Sequence, residues 1–139
     1  MKQIPSLLVV AVAAVACSDA FQPTAQNVSG IYELQTFTTD TAGFSKDWVA
    51  GGASLELILT PLGDVAGHLT IPGAPTDTSI FIADMIGSWT LTGTTVQFSQ
   101  QADSFVRDMD WIADKDRLSA DKTFGAVRVR VVLKRQPGP

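Results

Sequence analysis

Residues 55–71 read LELILTPLGDVAGHLTI, and this stretch decides the fold class. Two apolar runs, Leu55–Thr60 and Val65–Ile71, flank the segment Pro61–Asp64. Proline and glycine in that segment supply the backbone angles of a tight turn, and each run has the length of a typical strand. The stretch therefore predicts an antiparallel β-hairpin.

Further strands are predicted on both sides of this hairpin, because apolar and polar residues alternate there as in half-buried strands. In the first strand this alternation predicts opposite faces for Tyr32 and Phe37. The predicted strands are 31–37, 80–85, 87–92, 95–100, 105–112 and 124–133. Little helix is expected, apart from one turn over Lys46–Ala50 that Ser45 caps and two glycines end. The sequence therefore predicts an all-β fold, an antiparallel up-and-down barrel of about eight strands, because closure removes exposed strand edges.

The N-terminus has the pattern of an export signal. Lys2 precedes an apolar run from Leu7 to Ala16. This run is too short to cross the hydrocarbon core, since a spanning helix needs about 20 apolar residues. A positive charge, an apolar run of this length and small residues after it are typical of a secretory signal. Residues 1–16 are therefore predicted to be a helical signal peptide that is removed on export.

Cys17 is the only cysteine of the chain and directly follows Ala14, Val15 and Ala16. This arrangement resembles the lipobox of bacterial lipoproteins, whose signal peptidase cleaves before a lipidated cysteine. The resemblance implies acyl chains such as palmitate on Cys17, and two chains suffice for stable anchoring. Ser18 after the cysteine favours the outer membrane, facing the periplasm or the cell surface. Ala14 stands where leucine is usual, so ordinary signal cleavage, leaving a free thiol, is the alternative.

The rest of the chain divides into a tether and one domain. Residues 17–28 are polar, contain a proline and show no clear period, so they are predicted to form a flexible tether to the lipid. Residues 29–136 are predicted to form the barrel domain, which is long enough for a single core. The chain has a net charge of −4, which becomes −5 without residues 1–16. A membrane reached through the anchor is therefore an expected partner, and nucleic acid is not.

Two short motifs resemble the small lipocalin-like lipoproteins of bacterial envelopes. Gly30–Tyr32 (Gly-Ile-Tyr) is similar to the Gly-x-Trp motif that opens the first strand of lipocalins, with tyrosine in place of tryptophan. Gly87–Trp89 (Gly-Ser-Trp) resembles the start of a later hairpin, and residues 129–135 resemble the last strand. The resemblance implies a lipocalin-like barrel in which an arginine near the chain end closes over the first-strand ring. The candidates for that contact with Tyr32 are Arg128, Arg130 and Arg135.

Composition argues against catalysis and metal binding. His68 is the only histidine, and no nucleophile motif accompanies it, so a structural or surface position is expected. Zinc sites built from several cysteines or histidines are excluded by count. An acidic series lacks the glycine and terminal glutamate of an EF-hand loop, and turn formation and solubility account for it. The series is Asp108, Asp110, Asp114, Asp116 and Asp121. No enzyme activity, metal or cofactor is therefore expected.

Three aromatic residues, Trp89, Phe98 and Trp111, are predicted to lie inside the barrel. In a hollow barrel they line a pocket, and the leading hypothesis is an anchored envelope protein that binds a small apolar molecule or a lipid. In a narrow barrel such side chains fill the interior. The alternative hypothesis is then a filled barrel that contacts another envelope protein through loops 38–53 and 72–79, as an assembly factor or inhibitor does. A packed interior with apolar loops favours this alternative.

Overall fold

The computed structural model describes residues 20–73 and 79–137. The predicted signal peptide and the predicted lipidation site Cys17 lie outside these described residues. The described strands are β1 (Gly30–Thr41), β2 (Phe44–Asp47), β3 (Ser54–Leu59), β4 (Asp64–Pro72), β5 (Ile80–Asp84), β6 (Gly87–Thr92), β7 (Thr95–Gln100), β8 (Trp111–Asp114), β9 (Arg117–Phe124) and β10 (Val127–Arg135). Two short helices accompany them, α1 (Ala25–Val28) and α2 (Phe105–Asp108).

Eight of these strands form a closed antiparallel barrel. They pair in the order β1-β3-β4-β6-β7-β8-β9-β10, and β10 pairs with β1 to complete the circle. Among the described strands, β2 pairs only with β1 and β5 pairs only with β4, so both are additions to the barrel. The predicted all-β up-and-down barrel is confirmed, and the barrel is compatible with a lipocalin-like fold.

The two ends of the barrel differ in their connections. At one end lie the tight turns β3–β4, β6–β7 and β8–β9, together with the start of β1 and the helix α1. We call this the closed end. At the other end lie longer segments, residues 48–53 and 101–110, and the latter contains α2. We call this the open end.

The predicted hairpin is confirmed as β3 and β4. Leu57 lies opposite Gly67, and inward and outward side chains alternate along both strands. Gly67 has a φ of +136°, and a Cβ at this position would lie 1.8 Å from the carbonyl oxygen of Glu56. Only glycine combines that backbone angle with so close an approach. The residue therefore allows β3 to pack directly against β4.

A bulge in β1 changes which side chains face the interior. Tyr32 and Phe37, predicted to face opposite sides, are both buried. The pairing of β1 with β10 shifts between Leu34 and Thr36, which leaves one extra residue in β1. This extra residue turns Phe37 to the same inner face as Tyr32. The predicted alternation is therefore wrong beyond Leu34.

The helical turn predicted over Lys46–Ala50 is also wrong. Phe44–Asp47 forms β2, which pairs with the end of β1. Trp48 follows, and its backbone N–H donates to the carbonyl oxygen of Phe37 at 2.9 Å, while its Nε1–H donates to Thr39 Oγ1 at 2.9 Å. These contacts with β1 outweigh the local capping signal, because a single helical turn is unstable on its own.

The strand predicted over residues 105–112 begins later, at Trp111. Phe105–Asp108 forms α2 instead. Ser104 has extended backbone angles, and its Oγ accepts a hydrogen bond from the N–H of Val106 at 3.2 Å. This N-cap stabilises the turn, and the turn buries Val106 completely. Capping and burial together override the alternation of apolar and polar residues.

The helix α1 packs against the closed end of the barrel. Thr24 and Asn27 form a capping box, in which Thr24 Oγ1 accepts from Asn27 N–H at 3.1 Å and Asn27 Oδ1 accepts from Thr24 N–H at 2.7 Å. Val28 at the end of this turn is fully buried. The described part of the segment predicted as a tether is thus folded onto the domain, and the packed structure begins before residue 29.

Candidate functional site

The three aromatic residues predicted to line a pocket lie together inside the barrel. Trp89 and Phe98 are opposite each other on β6 and β7, and Phe98 meets the ring of Trp111 edge-on at a centroid distance of 6.2 Å. Their exposed fractions are 4%, 5% and 0%. Each indole N–H is satisfied, since Trp89 Nε1 donates to Thr60 O at 2.9 Å and Trp111 Nε1 to Val106 O at 3.0 Å. The three rings belong to one contiguous core.

The closed end is secured by Tyr32 and Arg135, which lie opposite each other in the β1–β10 pairing. The Tyr32 hydroxyl donates to the carbonyl oxygen of Val28 at 2.6 Å. Arg135 Nη1 donates to the carbonyl oxygen of Asn27 and to that of Ser29, the latter at 3.2 Å. Burial raises the pKa of Tyr32, and the nearby Arg135 charge partly opposes that rise. The ring and the guanidinium together hold α1 across this end.

Arg128 and Arg130, the other two candidates for this closing contact, pair with carboxylates instead. Arg128 donates to Asp121 from Nε at 3.0 Å and from Nη2 at 2.6 Å. These hydrogen bonds lower the pKa of Asp121 and raise the pKa of Arg128. Arg130 Nη2 donates to Asp40 Oδ2 at 2.8 Å. Of the three arginines, Arg135 is the one that the register places opposite Tyr32, and its hydrogen bonds go to the backbone of α1 and the following residue.

An aromatic groove of about 350 Å³ crosses the open end of the barrel. Phe37 on β1 lies at its centre, with its ring centroid 5.8 Å from the near-parallel ring of Trp48 and 4.8 Å from the ring of Phe105. Ile71 of β4 and Phe124 of β9 add to the apolar lining. Except for Phe37, these side chains are only partly buried, so their apolar surface remains available to a ligand or a partner.

Charged side chains border this open-end groove. Lys46 Nζ lies 3.8 Å above the centroid of the Trp48 ring, and Lys122 Nζ lies 5.1 Å from that of Phe124. Neither lysine is among the ion pairs of the described residues. The acidic side chains at the rim are already paired, since Arg107 contacts Asp103 at 2.7 Å and the adjacent Asp108 at 3.1 Å. Lys122 Nζ also donates to the carbonyl oxygen of Asp108 at 3.0 Å, so both lysines keep their positive charge at the rim without a carboxylate partner among the described residues.

Sequence reasoning identified only part of this groove. Trp48 and Ile71 fall in or beside the two loops predicted to contact a partner, whereas Phe105 and Phe124 fall in predicted strands. Phe37 was expected on the other face of its strand. Aromatic residues next to predicted strand ends were the available signal, but only closure of the barrel brings these distant positions together.

His68 lies exposed on the outer face of β4, in a row of titratable side chains. Glu56 of β3 is opposite it on one side and Asp84 of β5 on the other, and Glu33 of β1 lies opposite Glu56. None of the four described residues in this row carries a hydroxyl or thiol group that could act as a nucleophile. We call these four residues the acidic row.

The five aspartates of the C-terminal third are dispersed over α2, β8, β9 and the adjoining turns. Asp110 Oδ1 accepts from Gln97 Nε2 at 2.7 Å, and Asp114 Oδ1 accepts from the backbone N–H of Lys115 at 2.8 Å. Within residues 20–73 and 79–137, no group of three or more histidine, cysteine, aspartate or glutamate side chains is arranged to hold a metal ion. In the same ranges, no helix has the length and apolar character to cross a membrane.

Comparison with protein-family models, with curated proteins and with solved structures gives no match.

Proposed function

We propose that this chain is a lipid-anchored envelope protein whose filled barrel serves as a protein-interaction module, in the manner of an assembly factor or an inhibitor. The observation that carries the proposal is the packing of Trp89, Phe98 and Trp111 inside the barrel. The interior position that a hollow barrel offers to a ligand is here taken by the protein's own side chains.

The magnitudes favour this interpretation over an interior ligand. A buried aromatic side chain removes 150–250 Å² from water, which corresponds to roughly 4–6 kcal/mol at 25 cal/mol per Å². An interior ligand has to replace that packing and also break the hydrogen bond that each indole makes. Interaction is therefore expected at the surface, and the open-end groove is a concave surface that offers several partly exposed aromatic rings.

The side chains of the open-end groove are of the types found in protein interfaces. Aromatic residues are enriched at interface cores, and they are the residues whose truncation most often weakens binding. Trp48 and Phe105 present such rings, and both rings pack against Phe37. A partner side chain seated on this cluster would bury further apolar surface of both rings.

The anchor in this proposal rests on Cys17 and the three small residues before it. An acylated cysteine holds the barrel next to the membrane, which restricts its partners to envelope components. The proposed place is the outer membrane, with the barrel facing the periplasm or the cell surface.

Photocrosslinking in the source cells tests the interaction role. A photoreactive phenylalanine analogue replaces Phe105 in one full-length variant and Leu62 in a matched control, since Leu62 is 90% exposed on a turn at the closed end. The proposal expects a discrete protein adduct from position 105 and none from position 62. Absence of an adduct at 105, or the same adducts from both positions, contradicts it.

A second candidate function is favoured by the lysines of the open-end groove. Lys46 and Lys122 place positive charge above aromatic rings, an arrangement that suits an amphiphile with an acidic headgroup and an apolar tail. Native mass spectrometry of the full chain purified from cells, followed by solvent extraction, separates the two roles. A co-purifying lipid in stoichiometric amount, lost when both lysines are replaced by glutamine, supports this candidate, and consistently empty protein refutes it.

A further inference from the structure

The strand β5 has an edge that no other described strand covers. β5 and β6 pair one after the other with the same side of β4, since Asp84 lies opposite His68 and Gly87 lies opposite Val65. On the other side β7 covers only β6, because its pairing with β6 runs no further than Gln100 opposite Gly87. Beyond this point a side chain replaces the backbone pairing of β7, because Gln100 Nε2 donates to the carbonyl oxygen of Met85 at 2.9 Å. Within the described ranges, β5 therefore has a neighbour on one side only.

The backbone groups on this edge point outward. The N–H of Met85 donates to the carbonyl oxygen of Gly67 at 2.9 Å, and the carbonyl oxygen of Ser79 accepts from the N–H of Gly73 at 2.7 Å. Residues 79 and 85 thus direct backbone groups toward β4. Since this direction alternates along an antiparallel strand, residues 80, 82 and 84 direct their N–H and C=O groups away from the barrel.

The side chains of β5 are apolar and exposed. Ile80, Phe81 and Ile82 have exposed fractions of 57%, 47% and 67%. Natural edge strands are usually protected by lysine, proline, a bulge or a covering segment, because an open apolar edge invites pairing with another chain. The β5 sequence Ile-Phe-Ile-Ala-Asp has neither lysine nor proline. Its composition is therefore typical of a strand whose free edge pairs with a strand of another chain.

The charge beside this edge indicates the chemistry of that neighbour. Asp84 is the last member of the acidic row and lies on β5 itself. From Ser18 to Val106 the only lysine or arginine of the chain is Lys46. A segment that brings a cation to Asp84 is attracted, whereas β5 of a second copy has neither lysine nor arginine to place beside it. Opposite charges on adjacent strands stabilise pairing and like charges weaken it.

We propose that the β5 edge accepts an extended segment of a partner protein as an additional strand, with apolar residues at alternate positions and a lysine or arginine beside Asp84. This assignment rests on the proposed interaction role and names its surface. Strand addition supplies backbone hydrogen bonds for affinity and alternate side chains for specificity. Phe81 lies opposite Ile71, which lines the open-end groove, so β5 lies between that groove and the added strand.

The test uses the full chain purified in detergent and a synthetic probe. The probe is a seven-residue peptide of alternating valine and threonine with blocked termini and a lysine at one end. Amide hydrogen exchange, read by mass spectrometry with fragmentation, is expected to slow at Ile80, Ile82 and Asp84 by on the order of tenfold or more when the peptide is saturating. A peptide with glutamate in place of lysine is expected to bind about 1.4- to fivefold more weakly, the range for one cross-strand charge pair.

Two variants and one control define the surface. Ile82→Pro removes an outward N–H but no hydrogen bond to β4, and edge strands accept proline at such positions. This variant is expected to abolish the slowing of amide exchange at Ile80 and Asp84 by the peptide. Asp84→Lys is expected to reverse the preference between the two peptides, and this reversal tests the assignment even when Ile82→Pro does not fold. Leu62→Ser removes an exposed apolar side chain from the closed end and is expected to leave binding unchanged.

Three results would overturn the assignment. The first is unchanged exchange at the three outward amides with saturating peptide. The second is that the wild type and Asp84→Lys each bind the two peptides equally. The third is protection of these amides in the absence of peptide that increases with protein concentration. The last result identifies a second copy as the occupant. The two proposals fail separately. Failure of the peptide test does not affect an adduct at position 105 in cells, and absence of that adduct contradicts the proposed function without changing what the peptide test shows about the β5 edge.

Discussion

Truncation of Trp111 to alanine is the sharpest test of a filled barrel. The side chain is fully buried, its ring packs against Phe98, and its Nε1–H donates to the carbonyl oxygen of Val106 in α2. Large-to-small changes of a buried aromatic residue cost about 3–5 kcal/mol. The carbonyl oxygen of Val106 also loses its donor, which places the expected loss near the top of that range.

A loss of about 4–5 kcal/mol is a large part of the 5–15 kcal/mol by which most domains are stable. Urea unfolding followed by circular dichroism measures it as a lower midpoint with an unchanged slope. Trp48→Ala at the rim of the open-end groove is the matched control, because that ring is only partly buried and a smaller loss is expected. A hollow interior predicts that Trp111→Ala is tolerated, so a loss below about 1 kcal/mol would refute the filled barrel.

Three further predictions concern the backbone, an ion pair and the anchor. Gly67→Ala should destabilise by more than about 2 kcal/mol in urea unfolding, since its Cβ meets a carbonyl oxygen, whereas Gly93→Ala, with no atom within 4 Å, should cost only about 1 kcal/mol of backbone strain; equal losses would contradict this. The hydrogen bond from Arg128 lowers the pKa of Asp121, so Arg128→Ala should be less stable than the wild type above pH 3.8, and this difference in the free energy of unfolding should disappear as the pH falls below 3.8. A difference that persists in acid argues against the ion pair. Cys17→Ala should abolish membrane fractionation, and unchanged fractionation refutes lipidation.

The strands could be predicted because their signals are local. The β3–β4 hairpin follows from two apolar runs around a turn with proline and glycine, and the closed barrel follows from the number of strands and the need to cover their edges. The burial of Trp89, Phe98 and Trp111 could also be predicted, since each lies on the apolar face of its segment. Whether they line a space or fill it depends on the distance between opposite walls, which no single strand contains.

The candidate site was less accessible to prediction. Its central residue, Phe37, faces inward only because β1 has a bulge, and a shift of one residue reverses the face of every later side chain. Phe105 contributes because Ser104 caps a helical turn in a segment that alternates like a strand. The free edge of β5 depends on how far β7 extends along β6, which is a property of pairing and has no signature in residues 80–84.

The sequence by itself determined the fold class, the closed arrangement of strands and the expectation of an anchored envelope protein, because periodicity, turn residues and a short terminal motif act over a few residues. The tertiary structure alone decided that the interior rings pack together, that Arg135 rather than Arg128 or Arg130 secures the closed end, and that β2 and β5 each have a neighbour on one side only among the described strands. Register and barrel closure bring together residues up to about a hundred positions apart, and the free energy of those contacts is not encoded in any local segment.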